Sequence, residues 1–116
     1  MLIILALLLQ LSTSLHAAEE KFICSALVGR SFYQELKPLA VTDKTKHCSL
    51  SCYLALRCGA LESFNVGLVK EILDLLGAGN PEVADLRANQ QGITFALSGR
   101  ARSRTQCLRE CKAIFD

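Results

Sequence analysis

The sequence predicts an all-α fold, a small antiparallel bundle of four to five helices stapled by disulfides, and three observations predict it. Six cysteines, Cys24, Cys48, Cys52, Cys58, Cys107 and Cys111, are spread over a chain of 116 residues. Four of them fall in two CxxxC spacings, the spacing that places two side chains on one face of an α-helix. Beyond residue 17 the composition is rich in Ala, Leu and Val, with two prolines, Pro38 and Pro81, and no alternating run that would mark a sheet.

Residues 1–17, MLIILALLLQLSTSLHA, contain no Asp, Glu, Lys or Arg and end in small and polar residues. This is the pattern of a cleaved secretory signal peptide. Cleavage after Ala17 or Ala18 fits, with the site defined to within a residue or two because Leu15 or His16 stands where a small residue is usual. The uninterrupted apolar core, residues 2–9, is shorter than the roughly 20 residues a permanent membrane helix needs, so no permanent span is expected. A retained anchor is the alternative, and the absence of Lys and Arg from the leader leaves the amino terminus as its positive charge. Residues 18–116 then form a single disulfide-rich helical domain, secreted, or periplasmic in a bacterium.

All 13 basic and 11 acidic residues lie beyond the leader, and the net charge of +2 predicts no strong attraction to nucleic acid. A domain of about a hundred residues can bury a core, yet it remains in the size range where exported proteins add cross-links.

An even number of cysteines in an exported chain reads first as three disulfides. Cys48 and Cys52 form one helical ridge, and Cys107 and Cys111 form another. On antiparallel helices the two ridges meet in reverse order, which pairs Cys52 with Cys107 and Cys48 with Cys111 and leaves Cys24 for Cys58. The rival is a four-thiolate zinc site, which uses paired cysteines on knuckles or turns and is disfavoured in an oxidising compartment. With all six cysteines paired, no thiol is left as a catalytic nucleophile.

Residues 25–40 predict a short first helix ended or bent near Pro38. The second follows Thr42 or Asp43 as cap, carries Leu50, Tyr53, Leu54 and Leu56, and stops at Gly59. From Glu62, apolar residues including Phe64, Leu68, Val69 and Ile72 recur at helical spacing up to Gly77. Asn80 and Pro81 then read as the cap and first position of a helix carrying Val83, Leu86, Ile93 and Leu97, with Gly92 as a weak point. Ser103 and Gln106 stand in capping-box spacing ahead of the last helix.

Across residues 42–97 the order Asp43, His47, Gly59, Lys70-Glu71, Asp85, Ala88-Asn89 and Gly92 resembles the core pattern of serum amyloid A and of a group of uncharacterised bacterial helical domains. The bacterial pattern has Arg-His, His-Glu and Asp-x-x-Asn-Asn-x-x-Gly. Here "KH", "KE" and "DLRANQQG" occupy those places, and the Ala-Asn form is closer to serum amyloid A. The resemblance implies an all-α antiparallel bundle and a secreted protein that binds lipid and small apolar ligands. Serum amyloid A has no comparable cysteine framework, so lipid binding transfers poorly to a stapled bundle.

His47 is the one histidine beyond the leader, and with Glu71, Asp85 and Asn89 it forms the candidate catalytic set. The same residues suit a buried polar network that fixes helix register, and that reading is favoured because nothing supplies an evident nucleophile or phosphate cradle. Asp85 and Asn89 share a helical face, as do Lys70 and Asp74. Arg100, Arg102 and Arg104, with Arg109 and Lys112 nearby, are anion-binding candidates or a solvated loop whose field Glu110 blunts. We expect a secreted binding or interaction module for a lipid, a small apolar ligand or a protein partner, with no metal and no cofactor. The alternative is an exported hydrolase or toxin-like effector centred on His47, Glu71 and Asp85.

Overall fold

The computed structural model describes residues 1–73 and 83–116, with side chains at 1–12, 23–70 and 83–116. Within them the chain forms five helices, α1 (Leu2–Leu36), α2 (Asp43–Cys58), α3 (Ala60–Leu73), α4 (Val83–Leu97) and α5 (Arg104–Phe115), and no strand. The all-α, disulfide-stapled bundle is therefore the fold.

Helix α2 is the centre of the bundle, packing against each of the other four described helices. Its start is set by Thr42, whose extended backbone turns a hydroxyl oxygen toward the backbone N–H of Thr45 at 3.1 Å. Asp116 reaches the same helix end, accepting from the Thr42 N–H at 3.0 Å and from the Thr45 hydroxyl at 2.5 Å. A carboxylate there also complements the positive end of the helix dipole. The helix stops at Gly59, whose φ of +104° is a conformation L side chains rarely adopt. Because Gly59 turns the chain in one residue, α3 begins at once at Ala60.

Two disulfides join α2 to α5, Cys48–Cys111 and Cys52–Cys107, and a third, Cys24–Cys58, ties α1 to the last residue of α2. The first two are the pairs that antiparallel ridges require, and the third is the pair they leave over. All four cysteines of the α2–α5 staple have zero exposure, and they form the core cluster with Ala88, Phe95 and Ala101. On the other side of α2, Phe32 and Leu36 of α1 are buried, with Phe32 edge-on to Tyr53 at 5.0 Å. Arg104 links α5 to α1 by pairing with Glu35 and lying over the rings of Phe32 and Tyr53 at 5.5 and 5.1 Å.

Gly92, expected as a weak point of α4, is instead where α4 crosses α2 most closely. A Cβ there would lie 2.9 Å from the Cys52 nitrogen and closer still to the Cys48 carbonyl. Other expectations are also corrected. The first helix is not a short one over residues 25–40, since α1 runs continuously from Leu2 and ends two residues before Pro38. No proline interrupts residues 2–36 to stop it earlier. At α5, Ser103 accepts from the Gln106 N–H at 3.2 Å, but the Gln106 side chain accepts from the backbone of Arg102 rather than Ser103, at 2.8 Å. The expected stop at Gly77 and start at Asn80 and Pro81 lie outside the described residues.

Two outcomes test this packing. Alanine favours a helix over glycine by about 1 kcal/mol, but at residue 92 the clash with the α2 backbone outweighs that gain, so Gly92→Ala should lower stability by roughly 1–3 kcal/mol in denaturant titrations. The second concerns acid. The Thr45 hydroxyl first, and then the Thr42 backbone N–H, hold the Asp116 carboxyl below its ordinary range. Its stabilisation is therefore present above the unfolded-state pKa and lost as pH falls through the lowered folded-state value. Thermal melts of Asp116→Asn should fall below those of the wild type at neutral pH and converge with them in acid.

Candidate functional site

The face of α2 opposite its cysteine ridge builds the site. His47, Leu50, Ser51 and Leu54 follow one another at helical spacing, and α4 lays Asp85 and Asn89 against them. Asp85, in the first turn of α4, is only 3% exposed. A carboxylate this buried requires compensation. Lys44 donates to its Oδ1, while His47 Nε2 and Lys70 Nζ approach its Oδ2 at 3.3 and 3.7 Å. His47 Nε2 is also 3.4 Å from the exposed carboxylate of Asp43.

One turn beyond Asp85, the Asn89 amide binds α4 to α2. In the orientation its neighbours dictate, its nitrogen donates to the carbonyls of Asp85 and His47, both at 3.3 Å, and to the Ser51 hydroxyl at 3.1 Å. Ser63 of α3 donates to the Ser51 carbonyl at 2.7 Å. Gly67 makes room for this arrangement, since a Cβ there would stand 2.5 Å from the Asn89 amide.

Two adjoining cavities open beside these groups. The inner one, about 310 Å³, is walled by Leu50, Leu54, Val66 and Gly67, with Tyr33, His47, Ser51, Ser63, Lys70 and Asn89 as its polar lining. The outer one, about 130 Å³, shares Tyr33, His47 and Leu50 with it and adds Lys37, Asp43 and Lys46. His47 thus stands where the two chambers meet.

Of the sequence candidates, His47, Asp85 and Asn89 come together, but as separate units. Asp85 meets the His47 ring, whereas Asn89 bonds backbone groups and Ser51 rather than the ring. The side chains of Glu71 and Asp74 lie outside the described residues. Lys44 and Tyr33 carry no motif that marks them; Lys44 is brought in only because it precedes His47 by three residues on the same helix. The three candidate arginines do not converge. Arg104 is paired with Glu35, Arg100 with Glu110 at 3.0 Å while lying over Phe95, and Arg102 donates to the Gly99 carbonyl at 3.2 Å.

No protein-family model, curated protein or solved structure matches this chain. Its chemistry must therefore be read from the site. With every cysteine in a disulfide, the site holds no thiolate for zinc or for nucleophilic attack. Among the described residues, Asp43, His47 and Asp85 bring one ligand atom each within 4.8 Å of one another. A cation bridging them through Asp85 Oδ2 would compete with Lys70 for that oxygen and be repelled by Lys44 on Oδ1. His47 Nε2 faces two carboxylates, and no hydrogen bond from a serine, threonine or tyrosine hydroxyl to the ring is found among the described residues.

Asp85 is the residue on which Lys44, His47 and Lys70 converge. Asp85→Asn should lower stability by about 1–3 kcal/mol, because it leaves two ammonium groups facing a neutral amide. His47→Ala should cost less, since Lys44 and Lys70 still neutralise the carboxylate. Urea unfolding of the two variants, with disulfides intact, checks the order.

Proposed function

We propose that this chain is exported and binds a small apolar ligand in the inner cavity between α1, α2, α3 and α4. The observation that carries this reading is the cavity itself, about 310 Å³ with Leu50, Leu54 and Val66 on its walls and a few polar groups at its rim. That is the lower end of the size range of small-molecule sites, which are apolar concavities with sparse polar anchors.

Export is supported by two features. Three disulfides persist only in an oxidising compartment. In addition, every large apolar side chain from Leu2 to Leu11 is more than half exposed, so this stretch adds nothing to the core and suits a leader that is removed. No described helix is long and apolar enough to cross a membrane.

A hydrolase centred on His47 and Asp85 is the second reading, resting on the Nε2 to Oδ2 approach of 3.3 Å. The two lysines on Asp85 weigh against it, because they share the carboxylate that would orient and charge-stabilise the imidazole. The test is titration calorimetry of the oxidised protein with a linear aliphatic alcohol such as decanol. Saturable binding that Val66→Phe abolishes by filling the cavity, at unchanged melting temperature, is the expected result. Absence of saturable binding, or ester hydrolysis that disappears in His47→Ala, would overturn it.

A further inference from the structure

The two chambers differ in chemistry. The inner one is mostly apolar, and the outer one carries Lys37, Lys46 and Asp43 around the shared residues Tyr33, His47 and Leu50. Lys46 is held at the mouth by donating to the carbonyl of Lys37 at 3.1 Å. Two ammonium groups against one carboxylate leave the outer rim with a single excess positive charge. Lysine ammoniums act as point charges rather than as the planar forks that arginines offer to phosphate. Water solvates these ammonium groups in the absence of a ligand, and an anionic head group between them gains a charge-assisted contact that a neutral one does not. A dianion would exceed the rim's single excess charge.

We propose that the occupant is a linear aliphatic carboxylate, its tail in the inner chamber and its head between Lys37 and Lys46. The proposal rests on the apolar-ligand reading above. The inner chamber's volume of about 310 Å³ lies at the lower end for small-molecule sites, which suits a tail of medium length rather than a long one. His47, Tyr33 and Leu50, lining both chambers, form the neck through which the chain would pass.

Three ten-carbon probes, decanoate, decanol and decyltrimethylammonium, are titrated against the oxidised protein at low salt. Decanoate should bind about tenfold more tightly than decanol, the worth of a charge-assisted contact at a partly exposed site, and decyltrimethylammonium more weakly than either. In Lys37→Gln/Lys46→Gln the preference for decanoate should vanish while decanol binding stays unchanged. Raising the salt concentration should shrink the same preference in the unaltered protein. Equal binding of decanoate and decanol, or a preference that survives the double substitution and high salt, overturns the carboxylate proposal and leaves the apolar-ligand reading standing. Failure of all three probes overturns both.

Discussion

The double cross-link between α2 and α5 is the constraint on which the rest of the structure depends. Cys48–Cys111 and Cys52–Cys107 close sequence separations of 63 and 55 residues. In the chain-entropy account, loops of that size are worth on the order of 4 kcal/mol each, less where two parallel staples overlap. Two bonds one helical turn apart also fix both the rotation and the register of α5 against α2. With the cysteine face of α2 committed to α5 and to Ala88, Gly92 and Phe95 of α4, the rest of α2 is left to α1, α3 and the start of α4, and that is where the polar network and the cavities are found.

Small residues then decide how near those helices come. At Gly92 the backbones of α2 and α4 approach more closely than a Cβ allows, and at Gly67 an amide from α4 fills the place of a side chain on α3. Close approach buries groups that a looser bundle would leave in water. Asp85, Asn89, Ser49, Ser51, Ser63 and Thr45 are all buried, and hydrogen bonds or ion pairs satisfy each of them. The bundle is therefore held by covalent staples on one face of α2 and by a polar lattice on the other, with a modest aliphatic core. The cavity lies between that lattice and α1, lined by Leu50 and Leu54 of α2 and by Val66 and Gly67 of α3.

Much of this was legible in the sequence for a local reason. CxxxC spacing, a Thr cap and a Gly stop act within one or two helical turns, and so the staple and the ends of α2 follow directly from them. The inward face of α3 does not. Leu61, Phe64, Leu68 and Val69 are exposed, while Ser63 is buried and Gly67 faces Asn89, because proximity to α2 and α4 selects small residues over apolar ones. The partners of Asp85 were equally illegible: Lys44 lies 41 residues away in sequence, and only the α2–α4 crossing brings them together. Arg104 stands in an apparent basic cluster, yet tertiary packing assigns it to Glu35, Phe32 and Tyr53 on other helices.

The central claim is that antiparallel α2 and α5, locked in one register, present the opposite face of α2 to the cavity. Peptide mapping of the protein under non-reducing conditions tests it most directly. The account predicts cross-linked peptides containing Cys48 with Cys111, Cys52 with Cys107 and Cys24 with Cys58, after cleavage between the cysteines of each CxxxC pair. Bonds within either CxxxC pair, the parallel pairing of Cys48 with Cys107 and Cys52 with Cys111, or four free thiols would contradict it.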